Sequence, residues 1–303
     1  MERKRIPLLI DTDPGVDDFF CLCIGCAFSE IFDLKAVTTI GGNNSTDTTT
    51  KNALDILRLL NRDDVPVGRG SDSFLTHPFG ESITKFHGEN GLGNLIIPAS
   101  EKAPHKLCAC DLIYETARSC DGKLVIVTVG PETNLALALK KYPDLKDMIS
   151  KIVVMGGSLT TGNCSPYAEA NIFHDAEAAD VVFSSGIHID MIGLNITRKA
   201  NLPREIFDPI SLDARKDLRQ IMQGLIDFRN GEPMHDAVAI ATLIDDSFIT
   251  WIDANASIEI DDKERYGQTL INTKGPSFNA RVAFDIDVSG YYAIMERMLK
   301  YYQ

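Results

Sequence analysis

The stretch Leu8-Leu-Ile-Asp11-Thr-Asp13-Pro-Gly-Val-Asp17-Asp18 decides how the chain is read. An apolar run, Pro7–Ile10, ends abruptly in carboxylates, and four of them lie within eight residues. A buried strand running into a polar turn has this pattern. Pro14-Gly15 supplies the turn. Val16–Phe28 then reads as a helix with Asp17 and Asp18 in its first turn, where negative charge meets the helix dipole favourably. Like charges so close raise one another's pKa unless something positive sits among them. A hard divalent cation with oxygen ligands is the simplest solution. An EF-hand loop counted from Asp11 would need glycine at its sixth position and glutamate at its twelfth, but those positions hold Val16 and Leu22. Helix capping alone would use one or two of the acids, not four.

Outward from this segment, strand and helix signals alternate. Leu34–Ile40 is β-rich and stops at Gly41-Gly42. Ser45–Leu60 carries Ala53, Leu54, Leu57 and Leu60 on one helical face. Leu107–Ala117 reads as a helix, Leu124–Val129 as an apolar strand closed by Gly130-Pro131, and a helix follows through Leu139. Ile152–Met155 is a strand closed by Gly156-Gly157, Asp175–Phe183 a helix, and Ile187–Leu194 a further strand. Strands apolar throughout, each followed by a helix, predict an α/β fold: an open, mostly parallel sheet flanked by helices with a Rossmann-like core. Gly68–His105 and the charged, mostly helical Pro203–Glu232 break the rhythm and read as loop and helical insertions over a pocket. Ser257–Ile260 and Gln268–Ile271 suggest a hairpin or edge strands, Arg281–Ile286 one more strand, and Gly290–Leu299 a closing helix. No linker is evident, so one domain over residues 1–303 is expected.

Composition narrows the function. The chain has 303 residues, 44% hydrophobic and 24% charged, as in a globular protein able to bury a core without disulfides. Its net charge of −13 argues against nucleic-acid and anionic-membrane partners, whose surfaces attract basic fields. Glu2-Arg3-Lys4-Arg5 resembles a charged leader, but only Ile6–Ile10 follow before Asp11, too few for a secretory core. Phe19–Phe28 is too short to span a bilayer. Seven cysteines is an odd count spread over a long chain, which speaks against a disulfide framework. Cys21, Cys23 and Cys26 fit no zinc spacing and read as core residues. A cytoplasmic location is expected.

Three further clusters carry chemistry. Glu169-Ala-Asn171 follows Met155-Gly-Gly and Asn163, in loops where backbone can approach a ligand and amides can read hydroxyls. Pro233-Met-His235-Asp236 precedes the apolar helix Ala237–Leu243; Asp236 suits an N-cap or a metal, and His235 suits proton transfer near neutral pH. Phe86-His87-Gly-Glu89-Asn90-Gly91-Leu-Gly93 is a glycine-punctuated loop of the kind found at pocket mouths.

Taken together and in order, these segments resemble the nucleoside hydrolase family of the inosine-uridine-preferring type. Asp11-Thr-Asp13-Pro-Gly-Val-Asp17-Asp18 looks like its signature. Gly42-Asn43, Thr128-Val129-Gly130-Pro131, Met155-Gly-Gly, Glu169-Ala-Asn171 and Met234-His235-Asp236 follow where the family has them. The resemblance implies a Ca²⁺ ion held by Asp13, Asp18, Asp236 and the backbone carbonyl of Val129, with Asp11 supporting these ligands. It implies that Asp17 and Asn43 hold the 2′ and 3′ hydroxyls of a ribonucleoside, and that Asn163, Glu169 and Asn171 bind the 5′ side above Met155. His235 would serve as leaving-group acid and His87 would join the base pocket. Asp13 would activate water, with Asn171 and Asn43 stabilising the cationic sugar. A single displacement by water would invert the anomeric centre. A homodimer or homotetramer is also implied.

Two rivals use the same residues. A metal-dependent aspartyl-phosphate phosphatase would use Asp11 as nucleophile and Asp13 as acid, with Lys151 and Asp175 as its later groups. A non-catalytic ribonucleoside-binding protein would keep the metal site without turnover.

Overall fold

A computed structural model of the chain describes residues 4–80, 84–206 and 215–303. Part of the leader-like segment, and short parts of both expected insertions, lie outside the described residues.

Among the described residues, nine strands form one sheet. They are β1 (Ile6–Thr12), β2 (Phe32–Thr39), β3 (Val67–Arg69), β4 (Leu124–Thr128), β5 (Ile149–Met155), β6 (Ile189–Ile192), β7 (Ile249–Ile258), β8 (Thr269–Asn272) and β9 (Ala280–Ile286). Their order is β3-β2-β1-β4-β5-β6-β9-β7-β8. From β3 to β9 every pairing is parallel; β7 lies antiparallel to β9 and β8 antiparallel to β7. This is the mostly parallel α/β sheet that the sequence predicts.

The parallel strands are apolar because both faces are covered. On one face lie the helices Val16–Ala27, His235–Ala241 and Val288–Tyr301, whose buried side chains merge with those of the sheet. On the other lie Ala109–Arg118, Thr133–Lys141 and Ala176–Phe183. Val16–Ala27 is buried along its whole length, and Cys21, Cys23 and Cys26 sit in that core as free thiols. Among the described residues no helix is long and apolar enough to cross a membrane.

The chain runs from β1 outward to β2 and β3, then returns to start β4 on the other side of β1. The strand order therefore reverses between β1 and β4. At such a reversal the loops leaving the carboxyl ends diverge and open a crevice. Asp13 leaves β1 and Val129 leaves β4 at that point.

Several elements differ from the sequence reading: Ala170–His174 is a short helix where a loop is expected, and the strand expected over Ile187–Leu194 ends at Ile192, with Leu194–Thr197 a short helix. β7 begins at Ile249 rather than Ser257 and pairs with β9 as well as β8. Its buried positions Ala254 and Ala256 alternate with exposed Asp253, Asn255 and Ser257, and small alanines carry little strand signal. β3 is three residues long and gave no periodicity to read.

The seam between β6 and β9 is held by Asp190, whose side chain is 1% exposed. Arg281, its register partner, donates Nε to Oδ1 and a second nitrogen to Oδ2, both at 2.8 Å. Lys151 adds a bond of 2.7 Å. Burial pushes the Asp190 carboxyl up, but the bonds from Arg281 and Lys151 outweigh it and leave it below its ordinary value. Asp190→Asn should therefore lose about 2–3 kcal/mol in urea unfolding at pH 7, near the low end for a broken buried pair because both cations are partly exposed. A carboxyl with a depressed pKa stabilises the fold above its unfolded value, near 4, and loses that effect as pH falls through the folded value. The gap between the two proteins should be constant above about pH 5 and narrow below about pH 4.

Candidate functional site

The crevice opens into a cavity of about 460 Å³ lined by residues from all the carboxyl-end loops that surround it, among them Asp17, Asn43, Val129, Met155, Asn171 and Asp236. A larger, shallower hollow at the amino ends of the strands is lined by Lys4, Arg5, Lys123 and Lys151. Apart from Lys151, which the phosphatase reading would need, it contains none of the sequence-predicted site residues.

Four buried carboxylates cluster at the cavity floor, and two of them, Asp17 and Asp236, line the cavity itself. Asp13 is 1%, Asp17 5%, Asp18 0% and Asp236 4% exposed. The ligand oxygens of Asp17, Asp18 and Asp236 lie within 4.8 Å of one another. Asp13 sits beside this trio and is repelled by it. Burial, then the charge of Asp18, pushes its carboxyl well above the usual range. Burial and the charge of Asp17 do the same to Asp236, and bring Asp18 to about 6. Asp17 alone is lowered: burial opposes its charge, but Arg229, His87 and His235 outweigh it.

Local chain geometry builds this floor. Gly15 is the N-cap of Val16–Ala27, and its N–H donates to Asp18 Oδ2 at 2.8 Å. Thr12 Oγ1 donates to the other oxygen of Asp18. The Asn43 backbone N–H donates to Asp13 Oδ2 at 2.7 Å, and its side-chain amide to the Asp13 carbonyl and Asp18 Oδ2, both at 3.2 Å. Gly42 and Gly130 press against the same carboxylate: a Cβ would stand 2.2 Å from Asp13 Oδ2 at Gly42 and 2.7 Å from Oδ1 at Gly130. Asp13 Oδ1 and Asp17 Oδ1 remain buried with no hydrogen-bond donor. Buried charges need a counter-charge, so orphaned carboxylate oxygens on an all-oxygen floor fit a hard divalent cation.

Asp236 is the second residue of its helix, and Met234 occupies the N-cap position. The N-cap reading of Asp236 is thus replaced by a place on the floor. Asp11 Oδ1 accepts from Thr38 Oγ1 at 2.5 Å and Asn134 Nδ2 at 2.9 Å, and its other oxygen is buried with no hydrogen-bond partner. Burial lifts it to about 7 against those two bonds.

The wall carries the amides. Asn171 Nδ2 donates to the carbonyls of Val129 at 3.2 Å and Met155 at 3.0 Å, which fixes its orientation. Glu169 is the N-cap of Ala170–His174 and accepts N–H bonds from Gly157, Asn171 and Ile172. Asn163 Oδ1 accepts from the Ala170 N–H at 2.9 Å. Lining the same cavity, these three residues hold one another in place.

Two histidines close the site. His87 is 7% exposed, and its Nδ1 accepts the Val16 N–H at 3.2 Å, 3.8 Å from Asp17 Oδ1. His235 Nδ1 bonds Thr197 Oγ1 at 2.7 Å. Burial lowers each ring to about 4.

Arg229, Thr12 and Thr197 are site residues that sequence reasoning did not assign. Arg229 ends the helix Lys216–Arg229 and is 7% exposed. It donates to the Pro233 carbonyl at 2.5 Å and the Phe86 carbonyl at 3.4 Å. It therefore ties together the two segments that carry the histidines. The sequence reading sets this helical segment over the pocket, with Met222–Arg229 as candidate contributors, but assigns Arg229 no role. Lys151 and Asp175, required by the phosphatase reading, are committed elsewhere: Lys151 to Asp190, Asp175 to Thr133 and the N–H groups of Leu75 and Ala178.

Comparison with known proteins gives one answer. The family model described as inosine-uridine preferring nucleoside hydrolase matches residues 8–293. The pyrimidine-specific ribonucleoside hydrolase RihA of Escherichia coli O1:K1 / APEC is 34% identical over 313 aligned positions, covering 98% of this chain and 99% of that protein. A purine-preferring ribonucleoside hydrolase from Gardnerella vaginalis superposes with a TM-score of 0.90 at 29% identity, covering 98% and 99% of the two chains. The plant nucleoside hydrolase PpNRh1 superposes with a TM-score of 0.89 at 29% identity and the same coverage.

The glycine contacts make a prediction about the floor. Gly42→Ala should displace the Asp13 carboxylate and lower kcat about 100-fold, since a shift of about 1 Å at a reacting group costs that much. The circular dichroism spectrum should be unchanged. Wild-type kcat in Gly42→Ala would show that the close approach has no catalytic consequence.

Proposed function

The chain belongs to the inosine-uridine preferring nucleoside hydrolase family, and we propose that it hydrolyses the N-glycosidic bond of ribonucleosides to free base and ribose in one catalytic domain. The observation that carries this reading is the buried carboxylate floor with its orphaned oxygens, set beneath a wall of fixed amides.

Asp13, Asp18, Asp236 and the Val129 carbonyl are the proposed ligands of a Ca²⁺ ion, with Asp11 supporting them through its backbone carbonyl, which accepts the Val129 N–H at 2.9 Å. The Val129 oxygen has a lone pair to spare beyond its bond to Asn171. Such an ion supplies positive charge that orders the attacking water and the two vicinal hydroxyls of the sugar. The remaining work falls to the protein. Asp17 and Asn43 receive the 2′ and 3′ hydroxyls. Asn163, Glu169 and Asn171 bind the 5′ side, with Met155 beneath the ring. Asp13 Oδ1, which has no donor, takes the proton of the attacking water. As the bond to the base breaks, positive charge grows on the ribose, and the carboxylates of the floor together with Asn171, held by its bonds to Val129 and Met155, stabilise it. Water attacks from the side opposite the base, so the anomeric centre inverts.

Negative charge meanwhile grows on the base. His235, oriented by Thr197, offers a hydrogen to it as candidate leaving-group acid. His87 closes the base pocket. The reading extends to a cytoplasmic homodimer or homotetramer, consistent with cysteines that are all free.

The direct test is release of base from uridine, cytidine, inosine and adenosine. Asp13→Ala should lower kcat by at least about 10³-fold, as expected for loss of a base and ligand together. Turnover should cease with a chelator and return with Ca²⁺. Tight nucleoside binding with no turnover by the wild type would instead favour the non-catalytic reading. His235→Ala should cost about 10²–10⁴-fold on inosine or uridine. It should cost far less on a nitrophenyl riboside, whose leaving group needs no proton. Equal losses on both substrates would remove His235 from the leaving-group role.

A further inference from the structure

Away from the cavity, Cys108 and Cys110 place their sulfurs 3.3 Å apart at the start of the helix Ala109–Arg118. Cys110 Sγ lies 3.5 Å from Asp111 Oδ1. One ligand atom from each of the three residues falls within 4.8 Å of the other two. Cys108 is exposed and Cys110 half-buried, and neither is bridged to another cysteine. We infer that Cys108, Cys110 and Asp111 form a second metal site, one for a thiophilic divalent cation of the zinc or cadmium type.

The donors differ in kind from those of the catalytic floor. Four carboxylates suit a hard ion; two thiolates select a softer one. A tetrahedral ion with sulfur bonds of about 2.3 Å sets two sulfurs about 3.8 Å apart. The pair observed here needs only a small opening to reach that span. Cys108 is the N-cap of this helix and Cys110 lies in its first turn, so the backbone itself sets the two sulfurs side by side. Asp111 is already fixed, accepting from Lys141 Nζ at 2.6 Å and Tyr142 Oη at 2.9 Å. Charge also balances. Two thiolates and one carboxylate carry three negative charges, and the ion and Lys141 supply three positive ones. Binding releases one proton from each thiol to solvent and changes no oxidation state.

The site does not depend on the nucleosidase reading, and its test does not use activity. Reduced full-length protein with excess Ca²⁺ is titrated with Cd²⁺ and followed by ultraviolet thiolate-to-cadmium charge-transfer absorption. Saturation near one equivalent is expected, with Zn²⁺ competing. Cys108→Ser and Cys110→Ser should each weaken binding at least about 10-fold, and Asp111→Asn about 10-fold, while Cys164→Ser leaves it unchanged. Circular dichroism checks that each variant is folded. Absence of the band would overturn the proposal. So would a band that survives in the folded Cys108→Ser/Cys110→Ser double variant, or a mass two hydrogens low showing that the pair closes to a disulfide instead.

Discussion

Four carboxylates crowded together in burial set the terms for the rest of this molecule. Charges of one sign cannot be buried side by side without compensation. Asp13, Asp18 and Asp236 answer with raised pKa values, and Asp13 and Asp17 each keep an oxygen with no donor. The surrounding chain is arranged to hold the acids apart from solvent without neutralising them. Neutral donors do this work: the N–H groups of Gly15 and Asn43, the Thr12 hydroxyl and the Asn43 amide. Among the described residues no lysine lines this cavity, and the two arginines that do, Arg198 and Arg229, each spend two donors on backbone carbonyls. A floor built so leaves its charge available to a bound cation.

The fold explains why the acids meet. Asp13, Asp17 and Asp18 arrive together on the turn after β1, whereas Asp236 comes from a helix more than two hundred residues later. The helices Val16–Ala27 and His235–Ala241 pack against one another on the same face of the sheet. Each begins with its acids in the first turn, so both amino ends point at the floor. Helix amino ends favour negative charge, which makes this crossing a place where carboxylates can be buried at reduced cost. The strand-order reversal between β1 and β4 then brings the Val129 loop to the same spot.

What the sequence made legible follows from this. The apolar strands, the Pro14-Gly15 turn and the acids at the end of β1 are local patterns, and each survives translation into structure. The amide wall was legible only as polar loops; that Glu169 caps the helix bearing Asn171, while Asn171 ties two strand ends, depends on packing that no window of residues shows. Arg229 was hidden for a different reason. A cation in the last turn of a charged helix looks like ordinary dipole compensation, and its partners, Phe86 and Pro233, belong to separate segments. Thr197 lies on a four-residue helix too short to leave a periodic trace.

The histidines show how burial shapes the proposed chemistry. With both rings lowered to about 4 by burial, each is neutral at physiological pH. For His87 the Val16 N–H occupies Nδ1, so the neutral ring carries its hydrogen on Nε2. If Thr197 donates to His235 Nδ1 in the same way, that ring too presents an Nε2 hydrogen. A neutral imidazole is a poor source of a free proton but a well-oriented hydrogen-bond donor. Its value rises as the departing base gains negative charge, because the bond then becomes charge-assisted. Arg229 keeps this arrangement from drifting by tying the Phe86 and Pro233 backbones that precede the two histidines. Its positive charge also opposes protonation of either ring. In the proposed chemistry the cavity thus pairs a negative floor, suited to a sugar becoming cationic, with an end where two neutral imidazoles stand beside the charged Arg229, suited to a leaving group becoming anionic.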